Sequence, residues 1–248
     1  METHAHHIHK APGTGWKHYF VEFFMLFLAV FCGFLAENFR ETSIERNREK
    51  QFVLSVAEDL KLDILDLDDL AKKRQIRAGR IDSLFLMLNS SDPNIYGNDI
   101  YYFARLLTYN TAFINNDRTV QELKNSGNFR LISKQQVSDS IMYYDQRVRS
   151  LILIYGREEV FTENYITMLS DYFDSRVFNE MLKKDVRGVN RPTGNPRLLS
   201  TENKQLQKLL TAIHFFKAIN IAITDNLNRL KHEAESLLQF IQKEYHLK

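Results

Sequence analysis

Apolar residues along this chain recur mainly at helical spacings, and they fall into one continuous run and three seams. Tyr19 to Ala36 is apolar except for Glu22, and Phe23 to Ala36 carries no charge. Eighteen helical residues rise about 27 Å, close to the roughly 30 Å hydrocarbon thickness of a bilayer. Trp16 and Tyr19 precede the run as an interfacial aromatic belt would. No small-residue cleavage site follows it, and helical sequence continues beyond Ala36, so it reads as a retained anchor over residues 19–39.

The anchor has two sides. At 100° per residue, Glu22, Ala29, Gly33, Ala36 and Glu37 fall within an arc of about 100°. Phe20, Phe23, Phe24, Phe27, Phe31 and Phe34 fall within an opposite arc of similar width. Small residues spaced as Ala29-x-x-x-Gly33 let helix backbones approach closely, and intramembrane carboxylates turn toward protein or water. The first side is therefore expected to meet another helix and the Phe side to meet lipid.

The chain stays helical through a charged stalk, Arg40 to Gln51, into a seam at Val53, Ala57, Leu60, Ile64, Leu67 and Ala71. That seam continues through Arg74, Ala78, Ile81, Phe85 and Leu88. The cluster Ser90-Ser91-Asp92-Pro93-Asn94 ends it. Short helices are expected from about Asp99 to Thr108 and Asp117 to Asn125, with Gly127 as a helix-ending residue. Ser133-x-x-Gln136 reads as a capping box opening a helix toward Phe173. Its seam is Val137, Ile141, Tyr144, Val148, Leu151 and Tyr155. After a basic loop at 183–197, a last helix from near Ser200 carries Leu206, Leu209, Ile213, Phe216, Asn220, Ile223, Leu227, Leu230, Ala234, Leu237 and Ile241. Asn220 within that seam could fix its register.

Three seams require mutual burial. The expected fold is all-α: an N-terminal transmembrane helix continuing into a long stalk helix, then an antiparallel helical bundle. The expected divisions are a His-rich tail at 1–18, the anchor at 19–39, the stalk and first bundle helix at 40–91, and the rest of the bundle at 92–248.

Composition sharpens this. The 248 residues hold only 9 Gly and 4 Pro, too few turns for an all-β fold. Lys plus Arg number 33 against 31 Asp plus Glu, which argues against a strongly basic nucleic-acid binder. Two lysines precede the anchor (Lys10, Lys17) and four cations soon follow it (Arg40, Arg46, Arg48, Lys50). That slightly favours a cytoplasmic C-terminal region.

Candidate chemistry is sparse. Cys32 is the one cysteine and lies inside the anchor. No phosphate-cradling glycine loop and no H-E-x-x-H motif occurs. Asp92 to Phe103 fails as a calcium loop because its twelfth position is Phe103. His4, His6, His7 and His9 are candidate ligands for a transition metal, though a flexible tail explains them more simply. Glu58, Asp59, Asp63, Asp66, Asp68 and Asp69 are expected to be a solvated helix face. The 183–197 loop could touch lipid phosphates or be an ordinary exposed loop. These features lead to expectations of no enzymatic constellation and no cofactor.

Residues 119–144, TVQELKNSGNFRLISKQQVSDSIMYY, together with the anchor and the AENFRE that closes it, resemble a family of bacterial single-span membrane proteins of unknown function. Thr119, Leu123, Lys124, Ser126, Gly127, Asn128, Arg130, Leu131, Ile132, Tyr143 and Tyr144 match its pattern. The resemblance implies an envelope protein and no particular activity. Relatives with strongly basic tails imply a C-terminal domain outside the cytoplasm, whereas this tail is His-rich. A structural corner explains the motif, with Leu131 and Ile132 plugging the bundle and Arg130 pairing with an acidic helix face.

The functional expectation is a non-enzymatic scaffold or accessory subunit in the bacterial inner membrane. It would meet the lipid bilayer, oligomerise or join a membrane-protein partner, and bind no nucleic acid. The alternative is an oligomeric ion-conducting or proton-handling assembly built on Glu22.

Overall fold

The computed structural model describes residues 15–182 and 188–247. Six α-helices follow in order: α1 (Trp16–Leu88), α2 (Gly97–Leu106), α3 (Arg118–Asn125), α4 (Gln135–Leu169), α5 (Ser175–Glu180) and α6 (Asn203–Tyr245). Single 3₁₀ turns lie at Pro93–Tyr96 and Asn128–Leu131. Among the described residues there is no strand beyond an isolated bridge, Leu182 to Val189, and the protein is all-α. The chain divides into two compact units, residues 1–51 and 52–248.

The second unit is a bundle of three long helical stretches. Its α1 stretch buries Val53, Val56, Leu60, Asp63, Leu67, Leu70, Arg74, Arg77, Ile81, Leu84 and Leu88. These positions alternate by three and four, the period that keeps one stripe turned to its partners. Helix α4 does the same through Val137, Ile141, Tyr144, Val148, Leu151, Glu158, Thr162, Tyr165 and Leu169, with Tyr155 half-buried in the same series. In α6 all eleven expected seam positions are buried.

The expected seam of α1 is corrected at three of its eleven positions; the other eight are buried. Ile64 and Ala78 are only half-buried and Phe85 is 36 % exposed, while Asp63, Arg77 and Leu84 occupy the inner places. The expected seam has the same three-four spacing but steps first by four from Val53 to Ala57, whereas the buried stripe steps first by three to Val56, and that phase brings Asp63, Arg77 and Leu84 inward. The helix ends also move slightly. The first turn of α4 begins after Lys134 rather than Ser133, and α4 stops at Leu169, short of Phe173.

Directions follow from the cross-helix pairs. Asp63 meets Tyr144 and Arg74 meets Glu158, so α1 and α4 run parallel. Asp68 meets Lys231 and Asp82 meets Lys217, so α6 runs antiparallel to both. Parallel neighbours need a long crossover. Here residues 107–117 return along α1 in largely non-helical conformation.

A non-helical strand of chain on a helix must satisfy its backbone groups elsewhere. Arg77 donates to the carbonyls of Leu107 (3.0 Å) and Tyr109 (2.5 Å), and Arg74 to that of Thr111 (2.9 Å). Asp63 accepts from the Asn116 backbone N–H at 2.7 Å, and Asp59 from the Thr119 hydroxyl at 2.5 Å. The inward charges of α1 thus hold the return segment. At its end, Gly127 takes φ +68°, a left-handed conformation that terminates α3 as expected.

Candidate functional site

Two regions carry the features that bear on function, one in each unit. In the first, the apolar part of α1 is wholly exposed. Two described helices, α1 and α6, are long and apolar enough to cross a membrane. The apolar window of α6 is 44 % buried and supplies the bundle core, whereas none of the α1 window is buried.

The helical geometry of α1 sets Ala29 and Gly33 one turn apart, and a Cβ built at Gly33 would meet nothing within 4 Å. On the opposite side Phe20 stacks on Phe24 with ring centroids 6.4 Å apart, and Phe23, Phe27 and Phe31 form a second stacked row. Phe34 is exposed as well. Glu22 and Ala36 are exposed, and Glu37 is bound by Arg40 one turn later, with Nε 2.9 Å from Oε2. Cys32 is a free, exposed thiol. The residues of both sides of this stretch are exposed. His4, His6, His7 and His9 lie outside the described residues.

In the second unit, a polar layer divides the hydrophobic interior. One apolar cluster gathers around Leu60, Leu67, Leu123, Ile141 and Leu227. A second gathers around Leu84, Ile100, Tyr165, Leu209 and Phe216. Between them sit Arg74, Arg77, Glu158, Thr162 and Asn220, all buried. Arg74 donates both terminal nitrogens to Glu158, at 2.5 and 2.8 Å, and lies over the Tyr155 ring. The nearer Arg77 nitrogen is 3.6 Å from the same carboxylate, and its guanidinium lies over Phe216. Burial, opposed by Glu158 and reinforced by Arg74, pulls the Arg77 guanidinium down to about 10. Asn220 donates to the Arg74 carbonyl at 3.1 Å, and Asn110 to the Thr162 hydroxyl at 2.8 Å.

The acidic run of α1 is corrected in part. Asp59 and Asp63 are not a solvated face: both are buried, one against Thr119 and the other against Asn116 and Tyr144. They face inward because three elements bring donors to that side of α1: Asn116 from the return segment, Thr119 from α3 and Tyr144 from α4. Glu58 and Asp69 do remain exposed. Asp68 is paired with Lys72 and Lys231, whose hydrogen bonds hold its carboxyl down at about 2.

The 119–144 motif is a corner of the fold. Leu123 and Ile132 are buried, Thr119 is tied to Asp59, and Tyr144 donates to Asp63 at 2.8 Å. Arg130 does not make the expected acidic pairing among the described residues. It is exposed, and Lys124 instead reaches Asp145, with Nζ 2.6 Å from the carboxylate. In the basic loop, Arg191 is bound to Asp99 and stacks near Tyr102 and Phe103. Lys183, Lys184 and Arg187 lie outside the described residues.

Among the described residues no group of three His, Cys, Asp or Glu side chains is placed to hold a metal ion. No family model, no curated protein and no solved structure matches this chain.

Proposed function

We propose that this chain is a non-enzymatic, single-pass protein of the bacterial inner membrane, in which α1 anchors the bundle and associates with another membrane helix. One observation carries the reading: an uncovered apolar stretch of α1 has its small residues and carboxylates on one side and its Phe rows on the other. An apolar surface of this extent needs a covering phase or partner, and the sorted sides assign lipid to one and protein to the other. The likeness of residues 119–144 to bacterial single-span proteins supports the same setting. The 52–248 unit then acts as a scaffold that meets envelope partners or further copies.

The experiment is mass measurement of the full chain in mild detergent. An oligomer is expected, and Gly33→Leu, which places no clash within the single chain, is expected to dissociate it. A strict monomer, indifferent to that substitution, sinks the proposal.

A further inference from the structure

A small cavity of about 250 Å³ opens beside the polar layer, between α1 and the return segment. Lys73, Arg74, Arg77 and Arg80 line it, together with Tyr109 and Thr111, and no acidic side chain does. Two carboxylates reach these four cations: Asp69 binds Lys73 at 2.6 Å, and Glu158 serves Arg74 and Arg77 together. Arg80 makes no ion pair among the described residues. The cavity wall therefore carries an excess of two positive charges.

Such an excess beside a buried layer is costly unless an anion or water offsets it. Two of these cations cannot withdraw. Arg74 and Arg77 are fixed by the carbonyls of Leu107, Tyr109 and Thr111, and the Arg77 Nε is buried without a hydrogen-bond partner. Their terminal nitrogens are engaged by Glu158 and those carbonyls, so Arg74 and Arg77 contribute fixed positive charge, and the Arg80 guanidinium supplies the paired N–H donors that suit an oxyanion. Lys73 and Arg80, less buried, can close over a ligand from the rim.

We infer that this cavity is a binding site for a phosphate group: a dianion whose charge equals the excess of the wall, on a body small enough for the volume. The binding chemistry is the same for a dissolved phosphate monoester and for a lipid whose headgroup is a phosphate monoester. The site is separate from the anchor face and does not depend on it.

The test uses the full chain in mild detergent, titrated calorimetrically with inorganic phosphate at constant ionic strength, with chloride as control. Saturable binding and a rising melting temperature are expected. Arg80→Gln and Lys73→Gln should each weaken binding about tenfold or more, while far-UV circular dichroism stays unchanged and the ligand-free melting temperature does not fall. Neither substitution touches the Arg74–Glu158 pair, so a folding defect is not the expected cause of any loss.

A second arm compares nanodiscs of phosphatidylcholine alone with nanodiscs that also contain phosphatidic acid. Stabilisation by phosphatidic acid that is lost in Arg80→Gln supports a lipid headgroup as the source. A response confined to dissolved phosphate supports a soluble ligand. Silence in both arms, or a response that both substitutions leave intact, overturns the inference.

Discussion

Glu158 on α4 receives both terminal nitrogens of Arg74 on α1, and the two side chains retain 1 % and 3 % of their solvent exposure. A pair this deep is maintained by mutual need, because either charge alone would be stranded between two apolar clusters. Glu158→Gln is expected to destabilise the bundle by about 3 kcal/mol or more, read from urea unfolding followed by circular dichroism. The double variant Arg74→Met, Glu158→Met should recover part of that loss. The remainder reports Arg77, which keeps its carbonyl partners but loses its carboxylate, and the Thr111 carbonyl, which loses the Arg74 donor.

Burial pushes the Asp63 carboxyl above its ordinary 3.8, against the opposing donors of Asn116 and Tyr144. The folded state therefore holds that proton more tightly than the unfolded chain does. Stability from this group falls as pH rises from about 3.8 through the folded value, then stays at the lower level. Tyr144→Phe removes a donor that the ionised carboxylate needs. It should cost about 1–2 kcal/mol near pH 7 and clearly less near pH 4. Urea midpoints of the two proteins across that range check it, and a pH-independent difference would contradict it.

Two glycines answer differently to alanine. Gly127 has φ +68° with open space around a built Cβ, so the cost there is conformational, about 1 kcal/mol. At Gly97 an added Cβ would sit 2.1 Å from the Pro196 carbonyl oxygen. Gly97→Ala should force the 190–198 segment off the start of α2, where Asn195 and Asn98 exchange hydrogen bonds. Hydrogen exchange should show new opening at residues 94–98 and 190–198 for Gly97→Ala alone.

The Phe rows and the small-residue side make separate predictions in detergent. Ala29→Leu should weaken self-association as Gly33→Leu does, since both thicken the proposed contact side. Phe27→Leu, on the opposite side, should leave the mass unchanged. Light scattering of the three variants distinguishes a sided contact from general stickiness.

Much of this architecture is visible in the order of residues. The α6 seam and the two-sided pattern of residues 20–37 follow from helical period alone, and the helix-ending Gly127 from the left-handed conformation that glycine takes freely. The register of α1 is harder, because Ile64 is more apolar than Asp63 and Ala78 more apolar than Arg77. A three-four count that steps from Val53 to Val56 rather than to Ala57 places Asp63 and Arg77 inside, and extending the α4 series past Tyr155 reaches Glu158 and Thr162. The pairing itself is not visible: Arg74 and Glu158 stand 84 residues apart, and the donors that draw Asp59 and Asp63 inward come from three separate stretches of chain, at Asn116, Thr119 and Tyr144. The cationic cavity is likewise a product of where residues 107–111 come to lie.

The parallel course of α1 and α4 also has a consequence during synthesis. Asp68 finds Lys231 only 163 residues later, and the first half of the bundle core cannot close until α6 has been made. Contacts so distant in sequence slow folding and lengthen the exposure of unpaired apolar stripes. The polar seam positions of α1 bear on that interval. Asp63, Arg74 and Arg77 interrupt what would otherwise be an unbroken sticky edge on a nascent chain still waiting for its last helix.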